Sequence, residues 1–586
     1  MNIKEITLKD KVEEIEAIEA KTAEPKEMFS NIMGVCKELH NSLKANRDFH
    51  IVTDYDADGI TAAYIMKRTL LSINPNANIK VTVNDPRNGY GAATTNGKDG
   101  NARYIVMDMG CNDMENIFDK LGQDTIIIDH HRFEDEEVRI AFGRDKSLLN
   151  PQSVTGEDGK SPCYCTAGLA YRIYSNMEKL LKNKFITNEK QNNTVAAMAA
   201  IGTIADVVDL ADVNSFNRGI VKEGLNAINN ADEENFDMTI GNFLSQCGLS
   251  DYDATAKDIG FKVAPVINAG NRMTETLGYN AAQEMFDTLD SPAGLATYRN
   301  IEKAIEHNNM RKEMIKEITG SDNFQKAIEE QLENDIPIFL YRLPDDTSSR
   351  LAGLVAGNLC ERTGKAVIAL TYNTQKGTFV GSGRAPENNE TGLLDFINSI
   401  ADDIPDFEYG GHTSAMGVSQ LSLAGFDVLE RKCASEGHNI VKSEDCERLN
   451  ITPAELLSAD TLETLKKLEP MGQGFELPPV ELKGKELRRT QKFIGGRKDW
   501  KTVQMKFGDD TLEIKDWSYS PEKYPQFSDG KTIMALASVD INRYRDADGN
   551  LKESVSLTAV NDGMFQKEYQ KAIETEGKKK SDVGRP

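Results

Sequence analysis

The sequence predicts a multidomain α/β protein that ends in a small β-barrel, and three observations support this prediction. The chain has 586 residues, which is enough for three or four domains of ordinary size. Over the first half, short apolar runs alternate with turn-rich and helical stretches, as in a parallel sheet covered by helices. From about residue 475, short β-prone segments separated by turns replace that pattern and indicate a barrel.

The first α/β unit is predicted from the order of its strands and helices. Residues 1–45 have apolar positions at helical spacing and should be helical. A loop at 54–59 connects the first strand of the unit to a helix at 60–71, and further helices are expected at 192–205 and 215–228. The predicted strands lie at 50–53, 79–83, 104–107 and 125–128.

A second, smaller α/β unit is predicted beyond a long helix. Residues 285–335 combine helical spacing with many opposite charges, as in a partly exposed connecting helix. Strands follow at 336–341, 366–370 and 378–380 with a helix at 351–362, and the barrel strands at 502–507, 511–517, 532–540 and 554–560. The predicted division is a helical segment at 1–45, an α/β domain at 46–284, the connecting helix at 285–335, an α/β domain at 336–446, the barrel domain at 447–565 and a disordered tail at 566–586.

Composition restricts the class of protein. No run of about 18 apolar residues occurs, so we expect no membrane-spanning helix. The charged N-terminus lacks the features of a secretion signal, and the eight cysteines form no CxxC pair, so we expect a cytoplasmic protein with reduced thiols and no structural zinc site. A net charge of −24 speaks against binding a polyanion, but residues 483–506 hold nine basic residues against two acidic ones.

Acidic residues and histidines follow three neighbouring predicted strands. Asp54, Asp56 and Asp58 form a D-x-D-x-D-G loop after the first strand, Asp108 follows another, and an Asp-His-His triplet at 129–131 follows the next. The carboxyl ends of parallel strands meet at one edge of a sheet, where α/β folds bind ligands. Such a carboxylate cluster needs cations, although the loop alone is also compatible with a solvated turn.

Asp206 follows an apolar helical stretch and either completes this cluster or is an ordinary acid at a helix end. Carboxylates together with imidazole favour Mn²⁺ and allow Mg²⁺. Two cations, bridged by Asp108, would suit phosphodiester hydrolysis. The residues themselves therefore predict a divalent-metal phosphoesterase.

The motifs resemble those of a known superfamily in type and order. The segments DYDADG, Asp108 at its strand end, DHH and GTIADVV resemble the DHH phosphoesterase superfamily. The NAGNRM segment at 268–273 and GGHTSAMG at 410–417 are similar to elements of RecJ-like exonucleases, and residues 468–474 resemble the start of their OB-fold domain. The resemblance extends from about residue 50 to 560. It implies a DHH domain, a DHH-associated domain and an OB-fold domain for the three predicted folded units.

The resemblance also implies roles for individual residues. The implied metal ligands are Asp54, Asp56, Asp58, Asp108, His130 and Asp206. His131 and Arg272 would contact the scissile phosphate, with Asp108 as the catalytic carboxylate. Other implied substrate contacts are Arg87, Ser382 and Arg384 in a 5′-phosphate pocket, together with Asn268, Gly411 and His412. For Arg87 and Arg384 an ordinary surface ion pair is the alternative, and for His412 a core histidine.

The basic stretch at 483–506 lies on the predicted barrel. Cationic side chains interleaved with aromatic ones are typical of single-strand binding by OB-folds. The candidate contacts are Arg488, Arg489, Lys498, Trp500 and Lys501, and the alternative is a solvated basic hairpin. Two residues depart from the pattern of the relatives: Val266 stands where arginine is usual, and Asn271 is an additional polar residue before Arg272.

The resemblance implies a Mn²⁺- or Mg²⁺-dependent exonuclease with two cations, which degrades single-stranded DNA from the 5′ end to 5′-mononucleotides in repair, recombination or replication. A single-strand-binding protein or a helicase is a candidate partner, and no membrane partner is expected. Two alternatives remain open: a nanoRNase or cyclic-dinucleotide phosphodiesterase, and a RecJ-like replication scaffold without catalysis. The residues alone leave open the polarity, the choice between DNA and RNA, the oligomeric state, and a cellular or viral origin.

Overall fold

The computed structural model describes residues 2–88, 91, 100–249, 253–334, 336–386, 392–412, 414–436, 445–494, 497–507, 509–516, 532–546 and 548–560. Within these ranges, side chains are not described at 2–3, 183, 331–332, 334, 412, 445–446, 485–494, 497–503, 516 and 532–534. The barrel residues Arg488, Arg489, Lys498, Trp500 and Lys501 are therefore described in their backbone only.

Helices cover much of the first half of the chain and recur between the later strands. Their bounds are α1 Leu8–Lys21, α2 Lys26–Lys44, α3 Ala57–Ile73, α4 Met114–Leu121, α5 Glu136–Arg144, α6 Thr166–Leu181, α7 Glu189–Ala205, α8 Asn217–Asn229, α9 Met238–Leu244, α10 Ala256–Asp258, α11 Ala264–Leu277, α12 Ala281–Asp290, α13 Leu295–Thr319, α14 Asp322–Asn334, α15 Ser349–Thr363, α16 Leu393–Ile400, α17 Leu423–Glu436, α18 Pro453–Leu456 and α19 Ala459–Leu468.

Strands occur in the three regions in which the sequence predicts them, and β1 adds one in the segment predicted to be helical. Their bounds are β1 Asn2–Ile6, β2 Phe49–Thr53, β3 Ile79–Val83, β4 Arg103–Met107, β5 Ile126–Ile128, β6 Leu148–Leu149, β7 Ile338–Arg342, β8 Ala366–Asn373, β9 Thr378–Arg384, β10 Phe407–His412, β11 Ala415–Leu421, β12 Asp445–Leu449, β13 Val480–Ile494, β14 Arg497–Phe507, β15 Asp510–Asp516, β16 Thr532–Arg545 and β17 Leu551–Ala559.

The first sheet is parallel and has the strand order β3-β2-β4-β5-β6. Alternate residues of its central strands enter separate cores: Ile105 and Met107 face the core shared with α2, α3, α6 and α7, whereas Tyr104 and Val106 face the core shared with α4 and α5. Both faces are covered by helices, which explains why β2 and β4 are buried along their whole length. The predicted parallel sheet is confirmed.

The second sheet has the order β10-β11-β9-β8-β7. Only the β7–β8 pair is parallel among its described pairings, and the other three pairs are antiparallel. Helix α15 packs on one face, through Val355 and Leu359, while α16 packs on the other through Phe396 and Ile397. This is the smaller α/β unit that the sequence predicts.

In the described part of the C-terminal region, five strands pair in a closed order, β13-β14-β15-β17-β16. The last strand in this order returns to β13 through the pairing of Val480 with Ala537, and β15 and β17 are parallel. The interior contains apolar side chains such as Leu482, Met505 and Val539. The predicted barrel is present, and its assignment as an OB-fold stays a prediction.

Two predictions about the connecting segments are wrong. The N-terminal 45 residues are not all helical, because β1 pairs in parallel with β12 near the start of the barrel region, and α2 belongs to the first core. Residues 285–335 do not form one helix, because α13 ends at Thr319 and α14 begins at Asp322. Hydrophobic spacing locates helices but does not reveal their breaks or a partner strand more than 400 residues away. The domain limits given above remain predictions.

Within the described ranges, none of the helices is both long enough and apolar enough to cross a membrane.

Candidate metal centre and phosphate-binding cleft

The carboxyl edge of the first sheet presents an acidic residue at the end of three adjacent strands. Asp54 follows β2, Asp108 follows β4 and Asp129 follows β5. The strand hydrogen bonding continues into these residues, since the Asp54 N–H donates to Met107 O at 3.3 Å and the Asp108 N–H to Ile128 O at 2.9 Å. Asp108 has a φ of 60°, an unusual backbone conformation that concentrates at functional sites.

The start of α3 adds two further carboxylates. Asp56 caps this helix, with its Oδ1 accepting from Gly59 N at 3.0 Å. Asp58 lies in the first turn and accepts from the N–H groups of Thr166 and Ala167, both at 2.7 Å, at the start of α6. The N-termini of two helices therefore hold these two negative side chains at the sheet edge.

His130 connects the members of the cluster. Its Nε2 lies 3.3 Å from Asp108 Oδ1 and 3.8 Å from Asp58 Oδ2, and its Nδ1 lies 3.6 Å from Asp206 Oδ2. Asp206 is the C-terminal cap of α7. The structure thus brings together all six residues that the sequence predicts as ligands.

The possible ligand atoms form three groups, and within each group the atoms lie within 4.8 Å of one another. The groups are Asp54, Asp56 and Asp108; Asp108, His130 and His131; and Asp58, Cys165 and Asp206. Cys165 is a fully buried member that the sequence analysis did not find, because no Cys-containing metal motif surrounds it.

Burial of the carboxylates supports a cation at this position. Burial raises the pKa of Asp54, Asp58, Asp108 and Asp206, and neighbouring aspartates raise all four further. Asp54 Oδ1 is buried without a hydrogen-bond partner. Hard divalent cations would relieve this repulsion and occupy the free oxygen, so the donor set fits Mn²⁺ or Mg²⁺.

Asp129 has a different role from the other aspartates. Its Oδ1 accepts from His131 Nδ1 at 2.8 Å and from the backbone N–H of His130, while its Oδ2 accepts from Cys111 N. Burial disfavours the protonated form of His131 and by itself would lower its pKa. The charge of Asp129 and its hydrogen bond to the ring outweigh this effect and, with smaller contributions from other aspartates, raise the pKa of His131 to about 9. Asp129 therefore orients a protonated imidazole, whose chemistry suits a phosphate contact.

Arg272 lies near the metal centre, and two further arginines from other elements lie near Arg272. Arg272 lies on α11, Arg311 on α13 and Arg384 at the end of β9. Burial, together with the charges of Arg311 and Arg384, lowers the pKa of Arg272 to about 10, whereas Asp56 acts in the opposite direction. None of the three forms an ion pair with a side chain that the structure describes. Such mutually repelling cations suit an anionic ligand.

Ser382 and Arg384 belong to the second sheet and face the start of α15. A Cβ atom on Gly353 would lie 2.7 Å from Arg384 Nη2 and 3.5 Å from Ser382 Oγ. Glycine at this position of α15 therefore leaves room for the guanidinium group. The sequence analysis found both phosphate candidates but did not find Gly353 or Arg311, because ordinary helical residues give no sequence signal of a spatial neighbour.

The structure gives less direct support for the other predicted substrate contacts of the two α/β units. Arg87 forms an ion pair with Asp85 at 2.6 Å, as the alternative interpretation holds, and its phosphate role stays a prediction. Asn268 Oδ1 accepts from Ala57 N at 2.8 Å and so supports the start of α3. Gly411, with φ 142°, lies in the β10–β11 hairpin, and the side chain of His412 lies outside the described residues.

The predicted barrel contacts lie on two paired strands. β13 and β14 run antiparallel, with Lys492 opposite Trp500 and Gln491 opposite Lys501. The basic stretch therefore occupies two paired strands of the barrel, although its side chains at 485–494 and 497–503 are outside the described part.

Comparison with known proteins agrees with this architecture. Residues 48–203 match the DHH family, N-terminal domain. The single-stranded-DNA-specific exonuclease RecJ of Dickeya dadantii is 24% identical over 555 residues, which cover 90% of this chain and 90% of the relative. RecJ of Bacillus subtilis is 23% identical over 472 residues, 78% of this chain, and the match spans only 55% of that relative.

Solved structures extend the comparison to the fold. The crystal structure of Thermus thermophilus RecJ in complex with Mn²⁺ matches with a TM-score of 0.67 at 20% identity, covering 90% of this chain and 71% of that one. The Mg²⁺ complex of the same protein matches with a TM-score of 0.63 at 19% identity, covering 90% and 69%. This chain therefore has a DHH family N-terminal domain at residues 48–203 and shares the fold of RecJ.

Proposed function

We propose that this protein is a divalent-metal-dependent nuclease that hydrolyses single-stranded DNA from the 5′ end to 5′-mononucleotides. The observation that carries this proposal is the convergence of five carboxylates and two imidazoles at one sheet edge beside Arg272, which itself lies near the cations Arg311 and Arg384. The RecJ relatives named above are single-stranded-DNA-specific exonucleases, and the Thermus relative binds Mn²⁺ and Mg²⁺.

The residues that would hold the cations are Asp54, Asp56, Asp58, Asp108, His130 and Asp206, with Asp108 shared between two sites. Two bound cations supply water activation and stabilisation of the charge that develops on the reacting phosphate. Asp129 keeps the proton on His131, and this imidazolium donates to a nonbridging phosphate oxygen. Arg272 donates to the same phosphate, because a guanidinium presents a planar pair of N–H donors.

Selection of the 5′ end is assigned to the second α/β unit. Ser382 and Arg384 are suited to bind a terminal phosphate with a hydroxyl and a guanidinium. Fixing that terminal phosphate at a constant distance from the cations would release one nucleotide at a time. The basic β13–β14 hairpin would bind the rest of the DNA strand. It would contact the DNA backbone and stack on the bases without distinguishing the base sequence.

The two alternatives make different demands on the chain. A nanoRNase or cyclic-dinucleotide phosphodiesterase needs no barrel, and the barrel with its basic hairpin favours a longer substrate. A scaffold without catalysis has no need for a complete ligand set, and every expected ligand is present here.

The test is digestion of a long single strand labelled at either end, alongside duplex DNA and a dinucleotide, with Mn²⁺, Mg²⁺ or EDTA. Asp108→Asn removes the shared carboxylate charge while keeping an acceptor for Thr166 Oγ1, which donates to Asp108 at 3.1 Å. Asp395→Asn, an exposed acid on α16, is the matched control.

We expect mononucleotides from the 5′ end of the single strand with the wild type and with Asp395→Asn, and none with Asp108→Asn or EDTA. Cleavage confined to the dinucleotide would support the short-oligonucleotide enzyme instead. Strand binding without any cleavage would support the scaffold, and release from the 3′ end would overturn the proposed polarity.

A further inference from the structure

Arg350 belongs to the second α/β unit but bonds to the first. It lies in the first turn of α15, and its side chain is 19% exposed. Its Nη1 donates to Asn271 Oδ1 at 3.0 Å, and its Nη2 donates to Pro86 O at 2.5 Å. The guanidinium also lies 5.1 Å from the centre of the Tyr55 ring. One side chain therefore makes two hydrogen bonds and a cation–π contact across the boundary.

Each partner is the chain neighbour of a residue of the proposed site. Asn271 precedes Arg272, Pro86 precedes Arg87 and Tyr55 follows Asp54. Arg350 thus contacts three separate site motifs of the first unit at once. No sequence motif marks this residue, since its importance arises only from the way the two units are packed.

Asn271 gains a physical explanation from this contact. It departs from the pattern of the relatives as an additional polar residue, and its Oδ1 accepts a hydrogen bond from Arg350. A neutral carbonyl acceptor holds a guanidinium in place without removing its positive charge. The positive charge remains beside the metal centre, where it opposes the effect of burial on the pKa of Asp54.

Arg350 also fixes the element that faces the terminal-phosphate residues. Gly353 lies one helical turn further along α15, and it is the residue against which Arg384 and Ser382 pack. A displacement of the first turn of α15 would therefore move Arg384 relative to Asp54. Arg350 Nε is buried without a hydrogen-bond partner, and it lies 4.0 Å from Glu275 Oε1. The hydrogen bonds to the first unit therefore come from Nη1 and Nη2.

We propose that Arg350 is a positioning residue which, through Asn271 and Pro86, sets the distance between the metal centre and the Ser382–Arg384 phosphate site. This proposal rests on the proposed function, because the Ser382–Arg384 site must recognise a terminal phosphate. It differs from a purely structural role in one measurable respect. A structural contact affects stability, whereas a positioning contact affects the preference for a 5′-phosphate over a 5′-hydroxyl end.

The experiment measures dissociation constants of the full-length protein for a 5′-phosphorylated and a 5′-hydroxyl single strand, with Ca²⁺ replacing Mn²⁺ to prevent turnover. The variants are Arg350→Ala, Arg350→Lys, Asn271→Ala and the Arg350→Ala/Asn271→Ala double variant. Arg342→Ala is the matched control, because Arg342 is an arginine of the same unit that pairs locally with Asp345. Thermal unfolding of each variant checks that it is folded.

We expect Arg350→Ala to reduce the 5′-phosphate preference about tenfold, the scale of one hydrogen bond to a charged group. Arg350→Lys should restore part of the preference, Asn271→Ala should reduce it in the same direction, and the double variant should be no worse than Arg350→Ala alone. An unchanged preference in folded Arg350→Ala, or additive effects of the two substitutions, would overturn the proposal.

Failure of the proposed function gives a different result. If the wild type shows no preference for a 5′-phosphate, the assignment of Ser382 and Arg384 to a 5′-terminal phosphate is wrong, whatever the effect of the Arg350 variants. In that case non-additive effects of Arg350 and Asn271 on overall strand affinity would support a positioning role at another phosphate, and additive or absent effects would overturn it.

Discussion

At the scale of a single residue, Gly59 allows the carboxylates to converge. A Cβ atom at this position would lie 2.6 Å from Asp54 O and 3.0 Å from Thr53 Oγ1. Thr53 Oγ1 also donates to Gly59 O at 2.7 Å, which ties the first turn of α3 to the end of β2. Because glycine permits this approach, Asp56 and Asp58 reach the neighbourhood of Asp54.

We expect Gly59→Ala to weaken Mn²⁺ binding by about tenfold or more, because a forced shift of the Asp54 backbone separates the ligands. Isothermal titration calorimetry with Mn²⁺ measures this effect. Gly219→Ala is the matched control, since Gly219 lies in α8 and no atom lies within 4 Å of an added Cβ. Normal Mn²⁺ affinity in a folded Gly59→Ala protein would contradict this explanation.

A second residue-scale prediction concerns Asp129. Asp129→Asn should lower the pKa of His131 from about 9, because the charge that raises it is removed while burial, which lowers it, remains. The wild-type imidazole therefore keeps its proton through neutral pH, and the variant releases it at lower pH. An NMR titration of the imidazole in metal-free protein measures the shift, with Asp395→Asn as control. An unshifted His131 would show that Asp129 does not control its charge.

At the scale of secondary structure, α15 connects the two halves of the cleft. Its first turn contacts the first α/β unit through Arg350, and the next turn contacts Arg384 at Gly353. The helix also packs on the second sheet through Val355 and Leu359. The helix therefore links the first unit to β9, the strand of the second unit that carries Ser382 and Arg384.

Gly353→Ala should displace the Arg384 guanidinium, because the added methyl would come within 2.7 Å of Nη2. The guanidinium is the flexible end of its side chain, so we expect the fold to survive and the affinity for a 5′-phosphorylated strand to fall about tenfold. Fluorescence anisotropy with Ca²⁺ measures this affinity. Gly357→Ala, on the same helix with no atom within 4 Å, should bind normally. Equal affinities of the two variants would argue against the predicted role of Arg384.

At the scale of the whole molecule, the acidic chain contains a basic region on the barrel. The net charge is −24, whereas residues 483–506 contain nine basic residues against two acidic ones, on paired strands of the barrel. Arg218 of α8 also attaches the first unit to the segment before the barrel, because it donates to the carbonyl oxygens of Leu468, Glu469 and Pro470. The basic region and the candidate metal centre therefore lie in separate units that are structurally joined.

We expect strand binding to weaken steeply with salt, and a double Arg488→Ala/Arg489→Ala variant to flatten this dependence. Two lost phosphate contacts should reduce the slope of log affinity against log salt concentration by about 1.4. Anisotropy titrations over a range of salt concentrations measure the slope. Lys37→Ala/Lys44→Ala, two exposed lysines on α2, is the charge-matched control. An identical slope in both double variants would exclude the hairpin as the main strand contact.

Much of the first sheet and the metal cluster could be predicted from local pattern. Residues 79–83 were predicted as a strand and form β3 with the same bounds, and Asp54, Asp108 and His130 each follow a predicted strand end. The break at Gly320 between α13 and α14 and the pairing of β1 with β12 could not be predicted, since helix breaks and distant pairings depend on packing.

The sequence by itself placed Asp54, Asp108 and His130 near the ends of predicted parallel strands, because such strand ends meet at one edge of a sheet. Its resemblance to the DHH phosphoesterases implied the set of six candidate ligands. The tertiary structure alone decided which groups join them. Cys165 at the start of α6, Arg311 on α13 and Arg350 on α15 lie near Asp58, Arg272 and Asp54 respectively, and this proximity follows from how those helices pack. Such proximity leaves no periodic signal in the chain, because contacts between elements are set by shape and burial rather than by spacing along it.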